Sequence, residues 1–330
     1  MVKSRGKIRN QERQTDIYIE IFMFILGMDL TIVSNLVKDT IVGNDGVISR
    51  ALGGPPCYAG LMAREFGFNI NLVTRYGKDL MEKDIHILKT NGLSLKSSGL
   101  SDLPTTKFVI HCLERSRKLV LESKCDKVRL EDVMETVTDG WLISPVFDEV
   151  SQPVLDYIRD HRGDLDFVML DPQGFTRVSD DQGTISTRND ISLDLKGMRA
   201  IKLDPAELAC LTGGLSGVAG IKKVVDHYHV DYLLHTDEKA IHAATGDTHY
   251  WLKISDMNIP DSTGIGDILS STFACTFMKE NDVIWAFCFA VGAVLASLNL
   301  KRRGLEKIPK RSKVEENAAY FYAALNYEKF

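Results

Sequence analysis

The segment 261–267, DSTGIGD, holds the residue types and spacing best suited to chemistry in this chain. Glycines at 264 and 266 let the backbone approach a ligand closely and adopt unusual dihedral angles. The run that follows, Ile268–Lys279, predicts a helix. The amides of residues 264–267 would then lie at the start of that helix, where free donors and a partial positive charge can hold an anion such as a phosphoryl group.

Asp267 falls in the first turn of this predicted helix, beside the anion hole predicted for Gly264, Ile265 and Gly266. A carboxylate at that point can take the proton of a substrate hydroxyl while the hydroxyl oxygen attacks phosphorus. A helix cap would also place an aspartate there, and the residues alone do not separate the two roles. The segment has neither the lysine of a Walker loop nor the third glycine of a dinucleotide loop.

The elements that must position this segment alternate along the chain. From about residue 128 onward, apolar runs predict strands between helices, the strands at Trp141–Ser144, Phe167–Asp171, Ala200–Leu203 and Tyr232–Thr236. Such alternation predicts an α/β fold: a mostly parallel sheet with helices on both faces and ligands bound at the carboxyl ends of the strands. A first strand is predicted over Ile21–Leu30, ending at Asp29.

Two other segments do not fit this alternation. Residues 31–50 alternate weakly between apolar and polar side chains, and residues 105–125 predict a hairpin that turns at Arg115–Arg117. Short strands outside the main alternation are typical of a small separate sheet. We therefore predict a β lid, formed by these two segments, on the main sheet.

Composition limits the class of protein. The chain has 330 residues, a net charge of −5 and 44% apolar residues, which suits a globular domain and argues against a nucleic-acid-binding protein.

Residues 1–18 are polar and basic and predict a disordered extension, which leaves 19–330 as one domain. The six cysteines form no paired motif and are typical of a cytoplasmic protein. Five histidines between residues 227 and 249 are interpreted as surface residues in preference to a metal site.

An uncharged run of eighteen residues, Val283–Leu300, fits either a membrane-spanning helix or a buried core helix. Its small residues suit tight packing between helices, and no other part of the sequence resembles a membrane span. We therefore predict a buried helix and no membrane association.

Three segments, in the right order, resemble the motifs of the ribokinase-like (PfkB-type) carbohydrate and nucleoside kinases. Residues 261–267 resemble the family's C-terminal signature, Asp-Thr-Thr-Gly-Ala-Gly-Asp. Gly53-Gly54 and the segment 73–79, VTRYGKD, resemble its N-terminal signature, and Asp204–Glu207 resembles its Asn-x-x-Glu segment. Residues 171–177, DPQGFTR, resemble a segment frequent in archaeal members. The resemblance implies a three-layer α/β/α fold whose β lid also forms a homodimer contact.

The resemblance also implies roles for individual residues. Asp267 matches the general base, and Gly264, Ile265 and Gly266 match the anion hole. Binding of the phosphoryl donor ATP is implied for Asp204, Glu207, Thr236, Thr263, Gly264 and Gly266. Binding of the substrate is implied for Asp29, Gly53, Gly54 and Asp267. Glu207 and Asp204 would hold Mg²⁺ through water, and Asp261 matches a residue tied to a monovalent cation in some relatives.

Two positions depart from the family's pattern. Asp204 stands where asparagine is usual, and residues 236–240, TDEKA, lack both glycines of the usual nucleotide loop. The resemblance therefore implies an ATP-dependent kinase for a sugar, polyol or nucleoside, while ADP and other donors stay open. Two alternatives also stay open: a kinase for a hydroxymethyl-pyrimidine-type vitamin precursor, and a non-catalytic ligand-binding member of the fold.

Overall fold

The computed structural model of the protein describes residues 27–43, 45–113, 117–163, 166–254 and 262–330. The predicted extension at 1–18, most of the strand predicted at 21–30 and the cation site predicted at Asp261 lie outside the described residues.

The strands are, in chain order, β1 Asp29–Val33, β2 Val37–Val42, β3 Ile48–Gly53, β4 Asn69–Val73, β5 Arg75–Gly77, β6 Leu93–Ser94, β7 Gly99–Ser101, β8 Thr106–Cys112, β9 Arg117–Ser123, β10 Gly140–Ile143, β11 Phe167–Leu170, β12 Arg177–Ser179, β13 Ile185–Thr187, β14 Ala200–Leu203, β15 Tyr232–Thr236, β16 Ala240–Thr245, β17 Thr248–Lys253 and β18 Asn326–Lys329. The helices are α1 Pro55–Glu65, α2 Glu82–Thr90, α3 Leu130–Met134, α4 Gln152–His161, α5 Gln173–Thr176, α6 Pro205–Thr212, α7 Gly217–Tyr228, α8 Ile265–Glu280, α9 Val283–Asn299 and α10 Arg311–Ala323, with a 3₁₀ turn at Gly304–Lys307.

The main sheet has the strand order β18-β17-β16-β15-β14-β11-β10-β1-β4-β6. The strands from β15 to β6 in that order run parallel, whereas β16, β17 and β18 pair antiparallel at one edge. The predicted strands at 141–144, 167–171, 200–203 and 232–236 are β10, β11, β14 and β15, each within one residue at either end. The predicted mostly parallel sheet is therefore confirmed.

Helices cover both faces of this sheet, because the central strands are apolar on both sides. On one face α1, α8, α9 and α10 form the larger core, to which β1 contributes Leu30 and Ile32. On the other face α4, α6 and α7 pack on the sheet, and β1 contributes Val33 there. The alternation of neighbouring side chains between the two cores produces the predicted three layers.

The uncharged run 283–300 forms α9, which is buried between α8 and α10 as predicted. A Cβ at Gly292 would lie 2.9 Å from the carbonyl oxygen of Val314 in α10, so a small residue permits the close packing of these helices. Within the described residues, no single helix has the length and apolar character needed to cross a membrane. The bent pair of α6 and α7 meets those two criteria only when taken together.

The lid is a separate four-stranded sheet with the order β3-β2-β8-β9. Its strands lie within residues 37–53 and 106–123, whereas residues 31–33, predicted to belong to it, form the end of β1 in the main sheet. Phe108 and Ile110 on the lid pack against Val146 and Phe147, which follow β10. This contact places the lid over the carboxyl edge of the main sheet.

Strand β1 begins at Asp29, where the sequence predicted that it would end. Leu30, Ile32 and Val33 are fully buried, whereas Asp29 is exposed. The buried strand therefore starts after Asp29, whose carboxylate stays hydrated at the amino edge of the sheet. This shift moves Asp29 to the edge opposite the carboxyl ends of the parallel strands.

Candidate active site

A cleft of about 390 Å³ lies at the carboxyl ends of the parallel strands, beneath the lid. Asp171, Asp204 and Thr236, at or just after the ends of β11, β14 and β15, line one side of it. Phe108 and Ile110 from the lid line the other side. The arrangement agrees with the general placement of ligands in sheets of this type.

The N-terminus of α8 borders the cleft. Gly264 immediately precedes the helix and has φ +77°, a left-handed conformation that side chains disfavour. A Cβ at this residue would lie 2.3 Å from the ring of Tyr58, so only glycine fits. The amides of Gly266 and Asp267 have no hydrogen-bond acceptor among the described residues, as is usual in the first turn of a helix. They are therefore available to an anion in the cleft.

A buried lysine fixes the loop before α8. The Lys307 ammonium donates a hydrogen bond of 2.8 Å to the carbonyl oxygen of Thr263 and lies 5.9 Å from the centre of the Tyr58 ring. Lys307 is 1% exposed, and a charge buried to that extent requires such partners. No sequence motif pointed to Lys307, because it lies 44 residues beyond Thr263 in the chain.

Asp267 lies in the first turn of α8 and is 8% exposed. Burial raises the pKa of its carboxyl group to about 7, and the negative charge of Asp171 adds to this effect while Lys202 opposes it. No amide of the described helix donates to this carboxylate, so the alternative role of a helix cap has no support. A carboxyl group that gains and loses its proton near neutral pH is suited to general base catalysis.

Lys202 is a buried cation on the floor of the cleft. Its Nζ atom lies 3.1 Å from Asp171 Oδ2 and 3.6 Å from Glu207 Oε2. Burial alone would lower the pKa of Lys202, but the charges of these two carboxylates outweigh it, and the pKa is raised. A Cβ at Gly266 would be 3.3 Å from the same Nζ atom, so the ammonium lies directly against the first turn of α8.

Asp204 and Glu207 form a capping box at the N-terminus of α6. Asp204 Oδ1 accepts a hydrogen bond of 2.8 Å from the Glu207 amide, and Glu207 Oε2 accepts one of 2.7 Å from the Asp204 amide. Burial raises the pKa of Glu207 to about 8, and the charges of Asp171 and Asp204 contribute although Lys202 opposes them. Such a cluster of oxygen donors favours a bound cation.

Asp39 is the acidic residue on the lid side of the cleft, and the sequence analysis missed it. It lies in β2, lines the cleft and is 5% exposed. A Cβ at Gly53 would lie 2.2 Å from Asp39 Oδ2, and one at Gly54 would lie 2.8 Å from Val37 Cγ2. The two glycines therefore give β2 and the Asp39 carboxylate the space to enter the cleft.

Comparisons with known proteins identify the architecture. No family model and no curated protein matches the chain. Among solved structures, a pyrophosphate-dependent kinase in the ribokinase family superposes with a TM-score of 0.74 at 21% identity, over 87% of this chain and 99% of that one. The chain has the ribokinase-like fold.

Two further structures support the same conclusion about the fold. The ribokinase of Arabidopsis thaliana, in complex with ribose and ATP, has a TM-score of 0.68 at 18% identity and covers 88% of this chain and 99% of its own. The fructokinase of Vibrio cholerae O395, bound to fructose, ADP and calcium, has a TM-score of 0.70 at 15% identity with the same two coverages. The predicted fold class, three layers with a small lid, is confirmed.

The ribokinase-like fold brings most of the predicted site residues together. The residues that line the common cleft are Gly54, Asp204, Glu207, Thr236, Thr263, Gly264, Ile265, Gly266 and Asp267. Gly53 lies behind Asp39 and shapes the cleft without lining it. Lys202 and Arg177, which the sequence analysis did not select, also line the cleft.

The fold does not bring Asp29 to the cleft. Asp29 is the first residue of β1, is exposed, and accepts a hydrogen bond of 2.9 Å from the Asn69 side chain at the amino edge of the sheet. Cleft residues follow the opposite, carboxyl ends of the strands. Asp39, ten residues later in the chain, lines the cleft and Asp29 does not.

One end of the cleft is closed by a tight acidic turn between β15 and β16. Asp237 Oδ1 accepts hydrogen bonds of 2.7 Å from the amides of both Lys239 and Ala240. The Asp237 carboxylate thus stabilises a tight turn at a position where this chain lacks the glycines of the usual nucleotide loop. Ile241 and Ile254 provide an apolar lining close by.

Three of the histidines interpreted as surface residues are buried or nearly buried. His242 Nε2 lies 2.9 Å from Asp237 Oδ2, and its Nδ1 lies 2.9 Å from His249 Nε2. His235 and His249 are each 2% exposed. The sequence interpretation was wrong because antiparallel pairing of β15, β16 and β17 brings these residues side by side, which linear spacing does not reveal.

Proposed function

We propose that the protein is a kinase that transfers a phosphoryl group from ATP to a hydroxyl group of a sugar, polyol or nucleoside. One observation carries this proposal: a buried carboxyl group with a pKa of about 7, Asp267, lies beside the unoccupied amides of Gly266 and Asp267 at the N-terminus of α8. A base for a hydroxyl and a cradle for an anion are the two parts that phosphoryl transfer requires.

In the proposed reaction the acceptor hydroxyl donates its proton to the Asp267 carboxylate. The oxygen then forms a bond to phosphorus on the face opposite the leaving group, and the bond from phosphorus to the donor oxygen breaks. The amides at the start of α8 hold the equatorial oxygens of the phosphoryl group. Lys202, against Gly266, supplies a positive charge on the same side.

The lid has a direct role in this proposal. Its apolar residues Phe108, Ile110 and Leu119 cover the acceptor side of the cleft. Exclusion of water by these side chains favours transfer to the substrate hydroxyl over hydrolysis. Asp39 would accept a hydrogen bond from a second hydroxyl of the acceptor and so orient it.

The residues present fit a magnesium ion held through water. Asp171, Asp204 and Glu207 offer oxygen ligands only, which suits Mg²⁺. Within the described residues, no group of three or more side chains converges for direct coordination. Glu207 and Asp204 would therefore hold hydrated Mg²⁺, which supplies charge neutralisation for the donor phosphates when it is bound.

We propose ATP as the phosphoryl donor, and two features of the cleft support this choice. Ile241, Ile254, Val294 and Leu298 form an apolar lining that a purine base could fill. Thr236 and Thr263 lie in the same cleft, within reach of the phosphates. The acidic turn at residues 237–239 favours testing a smaller donor as well, since one structural neighbour is a pyrophosphate-dependent kinase.

The remaining alternatives are weaker on structural grounds. A vitamin-precursor kinase is disfavoured by the full four-stranded lid, and a non-catalytic binding protein has no use for a buried base.

A homodimer through the lid stays a proposal, supported by exposed apolar side chains at its tips, among them Val47, Ile48 and Leu113. Cytoplasmic location and a monovalent cation near Asp261 stay predictions.

The test is a panel of sugars, inositols and nucleosides incubated with Mg²⁺ and ATP, ADP or pyrophosphate, with mass spectrometry of the products. We expect at least one phosphorylated acceptor with the wild-type protein and none above background with Asp267→Asn. Asp190→Asn, at an exposed position outside the cleft, is the matched control and should keep full activity. Phosphorylation by the D267N variant at the wild-type rate would exclude Asp267 as the base.

A further inference from the structure

Two arginines face the cleft without an acidic partner. Arg177 follows α5, lines the cleft and donates a hydrogen bond of 2.9 Å to the carbonyl oxygen of Val146. Arg117 is the first residue of lid strand β9 and also lines the cleft. Among the described residues, no carboxylate lies within ion-pair distance of either guanidinium, whereas Lys202, the other cation of the cleft, has two such partners.

The two guanidinium groups are close enough to repel each other. Burial lowers the pKa of Arg177, and the positive charge of Arg117 lowers it further, whereas the negative charges of Glu207, Asp171 and Asp204 oppose this shift. Two like charges that face each other in a partly enclosed cleft raise the free energy of the empty state. An anion placed between them would remove that repulsion and form charge-assisted hydrogen bonds to both.

Both arginines belong to the acceptor side of the cleft. Residues 117 and 119 lie on the same face of β9 because side chains alternate along a strand, and Leu119 lines the cleft beside Phe108 and Ile110. Val146, which holds Arg177, packs in the same lid cluster. The phosphoryl group already has the amides of α8 and the Lys202 ammonium, which lies against Gly266. The arginines are therefore left for the acceptor.

We propose that Arg117 and Arg177 bind an anionic group of the acceptor, so that the substrate is a sugar or polyol bearing a phosphate or a carboxylate. This inference rests on the proposed kinase function and names the substrate class of the same cleft. The planar guanidinium fork matches the geometry of both anions. Arg117 from the lid and Arg177 from beside the main sheet would together close the lid on the substrate. Asp39 remains for the neutral hydroxyls.

The experiment compares neutral acceptors with anionic counterparts: ribose with ribose 5-phosphate, and glucose with gluconate. For the wild-type protein we expect kcat/KM to be at least about tenfold higher with the anionic member of a pair. Arg117→Gln and Arg177→Gln should each lower kcat/KM by about 10- to 100-fold for the anionic acceptor, the range for a hydrogen bond to a charged group. For the neutral acceptor the change should stay within about threefold.

Lys118→Gln is the matched control, since Lys118 neighbours Arg117 and is exposed on the other face of the strand. Arg177→Lys, which keeps the charge, covers the event that Arg177→Gln does not fold. Equal loss of kcat with neutral and anionic acceptors would assign the arginines to the phosphoryl group and overturn the inference. Unchanged kcat/KM for the anionic acceptor in R117Q would overturn it as well.

Calorimetric titration of ribose 5-phosphate and of ribose into the wild-type protein separates this inference from the proposed function. Tighter binding of ribose 5-phosphate that is lost in R117Q supports the arginine site even if no donor yields turnover. Turnover with neutral acceptors and equal affinity for ribose and ribose 5-phosphate supports the kinase and excludes the site.

Discussion

Replacement of Asp267 by asparagine should stabilise the protein at alkaline pH even though it abolishes turnover. The folded protein keeps the proton of Asp267 up to a pKa of about 7, whereas the ordinary value is 3.8. Between these pH values the folded state binds this proton and the unfolded state does not. The free energy of unfolding therefore falls as the pH rises, and this loss is complete above about pH 7. An asparagine at position 267 does not titrate, so D267N does not lose this part of the free energy of unfolding as the pH rises.

The magnitude follows from the difference between the two pKa values. About three pH units, at about 1.36 kcal/mol per unit, correspond to about 4 kcal/mol. The stability of D267N relative to wild type should therefore rise by up to about 4 kcal/mol between pH 4 and pH 8, with most of the change above pH 5. Glu207 titrates in both the wild type and D267N. The difference between their free energies of unfolding therefore reports on residue 267.

Urea denaturation of the ligand-free proteins at several pH values between 5 and 8.5 measures this difference. D190N, at an exposed position, is the control and should follow the wild-type curve. A difference between D267N and wild type that stays constant across this range would refute the view that burial keeps Asp267 protonated. That result would also contradict the assignment of Asp267 as a general base whose pKa is close to neutral pH.

Four further predictions concern the same cleft and the lid. The wild-type kcat/KM should rise about tenfold per pH unit below about pH 7 and level off above it, because the base must be ionised; a flat pH–rate profile would contradict this. Lys202→Met should move the midpoint of that profile upwards, since Lys202 lowers the pKa of Asp267; an unmoved midpoint would show that the two charges are not coupled. Gly264→Ala should lower the free energy of unfolding by more than about 2 kcal/mol, against about 1 kcal/mol for Gly246→Ala, because a Cβ meets the Tyr58 ring at the first position and nothing within 4 Å at the second; equal losses would mean that the ring moves aside. Ile48→Glu should convert a dimer into a monomer in sedimentation experiments if the lid is the dimer contact, and an unchanged sedimentation coefficient of a dimer would exclude it.

Local features of the site were accessible from the sequence because they depend on contiguous residues. The loop with Gly264 and Gly266, followed at once by a helix and Asp267, needs only the chain geometry to place amides beside an acid. The same holds for the capping box of Asp204 and Glu207. The strands β10, β11, β14 and β15 were predicted within one residue because each is a short buried apolar run.

The sequence analysis misplaced the acidic residue on the lid side of the cleft, for a physical reason. Asp29 and Asp39 are both single acidic residues near β1, and only pairing with the neighbouring strands decides where the buried strand begins. Once β1 starts at Asp29, that residue lies at the amino edge and Asp39 in the cleft. The stacked histidines were missed because contacts across antiparallel strands leave no linear signal.

By itself, the sequence determined the four central strands β10, β11, β14 and β15, the glycine turn before α8 and the acid beside it, because each depends on side chains that are neighbours in the chain. Only the tertiary structure decided which polar groups interact: Lys307 with the carbonyl of Thr263, Lys202 with Asp171, and the charge of Arg117 with that of Arg177. These groups come from elements far apart in sequence. Their burial and their pKa values depend on distances through space, which only the packing of the lid and the layers sets.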